Sequence, residues 1–193
     1  MQLNDLLRQA LIKNELGGNL ALVYRFSDAD GIRTGKSGYS FGIAQFDIMN
    51  NNRAVECLKE CGFTDADIAR LRAQSGPIGD LNDKLAAHKN VVDVFDTGQI
   101  DGTISWVRGI SRAAGILYTD DETFIHACDY HNQYHMNAHG KAIAYLAKLG
   151  RPATAQDILN YKLTTIWGKK RPDDVRRRYD NIRNIYYLKG AYP

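Results

Sequence analysis

Leu3, Leu7 and Leu11 recur at intervals of four, with Leu6 and Ala10 beside them, and the next position on that stripe is Glu15. Residues four apart lie one above another on a helix, so the pattern predicts an amphipathic helix whose buried face ends in a carboxylate. Gly17 and Gly18 follow, and glycine takes the left-handed conformation that stops a helix without steric cost. A carboxylate on an inward face is costly unless it is paired or opens into a cleft. Such burial disfavours the charged form of a carboxyl group, which suits a general acid working near neutral pH. The structural alternative is that Glu15 caps a neighbouring backbone group or pairs with an arginine.

The segment after the helix supplies polar groups for such a cleft. Asp28, Asp30, Gly31, Gly35 and Gly38 alternate with Arg33, Thr34, Lys36 and Ser37. Asp and Gly provide the hydrogen bonds and positive φ angles of turns. From Tyr39 to Phe46, aromatic or aliphatic residues alternate with small or polar ones, the period of a half-buried strand. The expected unit is a helix ending at Glu15, then a small hairpin carrying Asp28, Asp30, Ser40 and Gln45.

Glu15, Tyr24-Arg25, Asp28-Ala29-Asp30-Gly31 and then Gly38-Tyr39-Ser40-Phe41-Gly42-Ile43-Ala44-Gln45 form an ordered series. It resembles the N-terminal lobe of the phage-type lysozymes, a glycoside hydrolase family of the lysozyme-like superfamily. The resemblance implies that Glu15 is the general acid and that Asp28 is the second carboxylate, with Asp30 in reserve. It also implies that Ser40 stands where the family has a Thr holding water or sugar. The chain departs from the family pattern in three ways. Ser replaces Thr, the Glu-to-Asp interval is longer, and Ile32 to Gly38 stand where the family has almost nothing. Gln45, three residues after Gly42, is also similar to the Gly-x-x-Gln of lytic transglycosylases, and the Asp-to-Gly-Tyr-Ser stretch is faintly similar to chitosanases. Tyr39 and Gln45 are expected to contact substrate.

A second segment agrees. Ala155 to Trp167 leads through Gly168-Lys169-Lys170-Arg171 to Pro172 and the basic run Arg176-Arg177-Arg178. This is similar to a phage-lysozyme segment in which a Trp, then a Pro five residues later, opens an Arg-rich helix. The resemblance implies substrate-binding roles for Trp167 and for Arg176. Arg176 stands in because the family's basic residue two past the Pro is Asp174 here. Asn132, in a Tyr-rich helix, is expected to border the cleft.

Charge is mildly basic, +3 with a pI near 8.7. Lys169, Lys170, Arg171, Arg176, Arg177, Arg178 and Arg183 crowd one segment against Asp173, Asp174 and Asp180. Such a segment attracts an anionic polymer, or it is a solvated helix face with pairs such as Asp174–Arg178. No nucleic-acid-binding motif accompanies the charge, which argues against DNA or RNA as partner. Cys57 and Cys61 are one helical turn apart and Cys128 lies elsewhere; this odd count predicts buried free thiols rather than a disulfide framework. His131, His135 and His139 are spaced by four, so one helix face could offer metal ligands. The Glu that a zinc hydrolase carries beside its first His is missing, and neither metal nor cofactor is expected.

Hydrophobic residues make up 44% of the 193, a composition of ordinary folded chains. No apolar run approaches the ~18 residues of a spanning helix, and Met1-Gln-Leu-Asn-Asp lacks the basic start of a signal peptide. The expectation is a chain made in the cytoplasm without a signal peptide or transmembrane segment. It would reach the cell wall in the periplasm through a holin, a secretion system or a tail apparatus. Helices are expected over Asn50 to Cys61, Thr64 to about Gln74, Leu81 to His88, Val91 to Phe95 and Ile104 to Leu117. Others are expected over Asp120 to Leu149 with a break near Asn137 to Gly140, Thr154 to Trp167, and Asp173 to Leu188, with a turn region at Thr97 to Gly102.

The whole is read as one lysozyme-like catalytic domain, 1–193, mainly α within an α+β arrangement. A hairpin lobe at about 20–50 would pack on a helical lobe from about 51 plus the N-terminal helix, with the active-site cleft between them. The expected activity is that of a muramidase, hydrolysing the β-1,4 bond between N-acetylmuramic acid and N-acetylglucosamine. Alternatives are a lytic transglycosylase or chitosanase of the same superfamily, or a non-catalytic glycan-binding domain. The expected partners are peptidoglycan strands; an inhibitor or immunity protein could accompany a chain expected to be monomeric.

Overall fold

The computed structural model describes residues 2–28 and 37–190. It is mainly helical, with ten α-helices and one small antiparallel sheet of three strands among the described residues. Two compact units form: Met1–Asn14 with Ile100–Pro193, and Glu15–Gln99. Helices α1 (Leu3–Leu16) and α5 (Lys89–Ala113) contribute residues to both. None of the helices among the described residues is long and apolar enough to cross a membrane.

The Glu15–Gln99 unit is built around the sheet. Strands β1 (Ser27–Asp28), β2 (Tyr39–Phe41) and β3 (Phe46–Asp47) pair in that order, with Ser27 opposite Ser40, Asp28 opposite Tyr39, Ser40 opposite Asp47 and Phe41 opposite Phe46. The expected strand from Tyr39 to Phe46 is therefore broken in two. Gly42 at φ +76° and Gln45 at φ +54° turn the chain back, so Phe41 and Phe46 face each other. Helices α2 (Asn52–Glu60), α3 (Asp65–Ala73) and α4 (Gly79–Ala86) follow. Thr64 caps α3 as expected, in a box where its hydroxyl accepts from Asp67 N while the Asp67 carboxylate accepts from Thr64 N.

The expected turn at Thr97 to Gly102 is instead the middle of α5. Two glycines cost such a helix about 1 kcal/mol each. Val92, Asp96, Ile100, Thr103, Val107 and Ile110 are buried at helical spacing along it, and burying an aliphatic side chain gains ~1.5–3 kcal/mol. Packing outweighs propensity here. A Cβ at Gly98 would lie 3.1 Å from a guanidinium nitrogen of Arg53, the far end of a flexible side chain that can give way.

In the other unit, α6 (Asp121–Tyr134), α8 (Ala155–Thr164) and α10 (Pro172–Gly190) pack on one another, and α7 (Lys141–Ala147) and α9 (Ile166–Lys170) pack on α8. The expected single helix from Thr154 to Trp167 breaks at Thr165, whose hydroxyl accepts from Gly168 N and starts α9. Pro172 opens α10, where its missing N–H costs nothing. Cys57, Cys61 and Cys128 are free and buried.

At the centre of this unit lies a buried charge cluster. Asp129 on α6 is 1% exposed and accepts from Lys162 Nζ at 3.0 Å, Arg178 Nη2 at 2.5 Å and Asn14 Nδ2 at 3.0 Å. Asn181 Nδ2 donates in turn to Asn14 Oδ1 at 2.9 Å. Arg178 is thus no solvated charge: it shares the inward face of α10 with Val175 and Ile182, while Asp174 pairs with Arg177 at 2.6 Å. Burial alone would raise the Asp129 carboxyl, but the charges of Arg178 and Lys162 outweigh it and hold the group well below the usual carboxylate range.

A group depressed in this way stabilises the fold fully above its unfolded value of ~3.9, and that contribution drains away as pH falls toward the folded value. Asp129→Ala leaves two buried cations and is expected to cost ~3–5 kcal/mol in urea unfolding at neutral pH. The difference from the unsubstituted protein should shrink as the pH is lowered below about 4.

Candidate active site

Glu15 lies in the last turn of α1, and Gly17 and Gly18 end the helix at φ +61° and +87°. Leu6, Leu7, Ala10 and Leu11 are buried on the inward stripe, as the spacing predicts, whereas Glu15 is half-buried. The stripe therefore opens at the carboxylate. Asn14, the residue before it, carries the fully inward polar contact.

Asp28 ends β1 and is half-buried. Asp30 lies outside the described residues, as do 29–36 generally. Directly paired residues of an antiparallel sheet point to the same side, and neighbours along a strand to opposite sides. Ser27, Ser40 and Asp47 accordingly share one face, while Asp28, Tyr39, Phe41 and Phe46 share the other. The second face is aromatic. Phe26 packs there with Tyr39, Phe41 and Phe63 at ring distances of 6.4, 5.6 and 5.9 Å. The sheet thus brings Asp28 beside Tyr39 and sets both on the side opposite Ser40.

The polar face is closely knit. Ser27 Oγ donates to Gln45 Oε1 at 2.9 Å, and Gln45 Nε2 donates to Gly42 O at 2.9 Å. Both ends of the Gln45 amide are therefore engaged within the hairpin, which makes it a brace of the turn in the first instance. Ser40 is 3% exposed. Holding a single water fits that burial better than holding a sugar ring.

What fixes the turn is Asp96, a residue the sequence pattern did not single out. It is fully buried on α5 and accepts from Ile43 N at 2.9 Å through each carboxylate oxygen and from Ala44 N at 3.2 Å. Consecutive backbone N–H groups enclosing a carboxylate make a strong, charge-assisted anchor. Gly42 is required on two grounds: its φ is +76°, and a Cβ would lie 2.8 Å from an Asp96 carboxylate oxygen. Tyr24 and Asn82 extend the bracing, the first donating to Asp93 at 2.8 Å and the second accepting from Phe26 N at 2.8 Å.

The remaining expected binding residues belong to the other unit. Asn132 is half-buried on α6, Trp167 is 44% exposed on α9, and Arg176 is exposed on α10. The histidines do not share one helix face, because α6 ends at Tyr134 and His135 caps it in the left-handed conformation at φ +50°. His131 packs edge-on against His135 and beside Trp106, and burial lowers its pKa. Among the described residues no three His, Cys, Asp or Glu side chains converge as metal ligands.

No family model, no curated protein and no solved structure matches this chain.

Asp96→Ala is expected to release the Ile43 and Ala44 amides, visible as faster hydrogen exchange at those two positions. Gly42→Ala should destabilise the protein by more than ~1 kcal/mol in denaturant unfolding, because Ala pays for the positive φ and for the Asp96 clash together.

Proposed function

We propose that this chain cleaves the glycan strands of peptidoglycan as a muramidase of lysozyme-like fold, with Glu15 as the proton donor. One observation carries the reading. A half-buried carboxylate ends an apolar-faced helix, stopped by two left-handed glycines, in the same compact unit as a small antiparallel sheet bearing Asp28 and Ser40.

In this mechanism Glu15 gives its proton to the glycosidic oxygen as the bond to the leaving sugar breaks. Asp28 stabilises the positive charge that develops at the sugar, and Ser40, on the other face of the sheet, holds the attacking water. Proton donation accounts for ~10²–10⁴ of the rate, and the remainder must come from positioning the glycan and from charge stabilisation. The chain would meet its substrate at the cell wall after release or delivery from the cell that makes it.

A second reading has specific support. The sheet register sets Asp28 on the face opposite Ser40, so the two are not aligned for joint work on one water. A lytic transglycosylase needs no such partner: its single acid residue suffices, and the sugar's own hydroxyl closes an anhydro ring.

Glu15→Gln should reduce release of soluble fragments from purified cell walls by ~10²-fold or more with the circular dichroism spectrum unchanged. Full activity in that variant would sink the assignment. Asp28→Asn separates the two readings. A comparable loss is expected for the hydrolase, and retention of most activity for the transglycosylase.

A further inference from the structure

We propose that the cavity bounded by α6, α8 and α9 binds the carboxylate-bearing part of a wall muropeptide. It measures about 560 Å³, within the ~300–1,000 Å³ of small-ligand sites. The rings of Tyr130, Tyr134, Tyr161 and Trp167 wall it, and Lys141 and Lys170 stand at its edge. Tyr130 packs against Tyr134 at 5.1 Å and against Tyr161 at 5.7 Å, in tilted and edge-on geometry. Rings held by other rings form a stiff apolar wall that loses little entropy when a ligand arrives.

The charges at the cavity are of one sign. Among the described residues no acidic side chain lines it and neither lysine forms an ion pair. The Arg171 guanidinium adds a further cation 5.6 Å from the Trp167 ring centre. The missing complement is an anion attached to a ring-shaped body with apolar faces. A muropeptide meets both requirements, because the C–H faces of its pyranose ring can lie on the aromatic wall while its stem peptide carries free carboxylates. A neutral glycan lacks the charge, and an acidic peptide of aliphatic residues lacks the ring. A single-stranded nucleic acid would call for a basic groove tracking its backbone, whereas this is one cavity. The choice of a muropeptide among carboxylated rings rests on the muramidase reading.

The test is an NMR titration of the intact ¹⁵N-labelled protein with N-acetylmuramyl-L-alanyl-D-isoglutamine, which carries one free carboxylate. Saturable shifts are expected at the Trp167 indole N–H. The exposed double substitution Lys141→Gln/Lys170→Gln should weaken binding about fivefold or more, and added salt should weaken it in the unsubstituted protein. Absence of saturation at Trp167 would overturn the proposal. So would equal binding by a neutral N-acetylglucosamine oligomer, or tighter binding there by an oligothymidylate. The readout is binding rather than lysis, so the two readings fail separately. Lysine-dependent binding without wall cleavage removes only the muramidase reading, and cleavage without binding at Trp167 removes only this one.

Discussion

Asp129 sits 1% exposed with Lys162 and Arg178 within hydrogen-bond distance, and none of the three charges could be left alone in that interior. A buried ion costs several kcal/mol after relaxation, so its partners must be present and correctly placed before the surrounding helices can close. Asn14 completes the cluster from α1, which means that α1, α6, α8 and α10 must all be in register for every polar group to be satisfied. Apolar packing alone would tolerate small slides between these helices. The charge cluster does not, and it selects one arrangement.

The Glu15–Gln99 unit uses the same device at smaller scale. Asp96 is fully buried, and two consecutive backbone amides close over it. Because those amides belong to the turn between β2 and β3, the helix fixes the turn and the turn fixes the pairing of Phe41 with Phe46. A strand pair this short has little stability of its own. Its precision comes from the anchor and from the aromatic cluster on one of its faces. The consequence for chemistry is direct, since the same register decides that Ser40 and Asp28 point to opposite sides.

Much of this was legible in the sequence where periodicity and capping chemistry were strong. The Leu3-Leu7-Leu11 stripe, the Gly17-Gly18 stop, the Thr64 cap and Pro172 at a helix start are local rules with local outcomes. The failures came where tertiary contacts decided the matter. Thr97 to Gly102 has the composition of a turn, yet the apolar stripe on either side carries α5 straight through it. The Tyr39 to Phe46 alternation reads as one strand, but Asp96, far along the chain, captures its middle. Arg178 reads from the sequence as part of a basic run or a solvated helix face, and Lys162 does not stand out at all. A signal for their burial was present: each follows an apolar position of its own helix at three- or four-residue spacing, Ile158 before Lys162 and Val175 before Arg178, as Ile125 precedes Asp129. Three charges of complementary sign on apolar stripes mark a buried network.

The proposed function joins a carboxylate at a helix end, Glu15, as proton donor to an aromatic cavity edged by lysines elsewhere on the chain. Its central claim concerns which bond breaks. Mass analysis of purified peptidoglycan after digestion by the unsubstituted protein addresses this directly. The account predicts soluble muropeptides cut within the glycan strand and ending in reducing N-acetylmuramic acid. Intact glycan strands, or fragments separated only at their peptide cross-links, would contradict it.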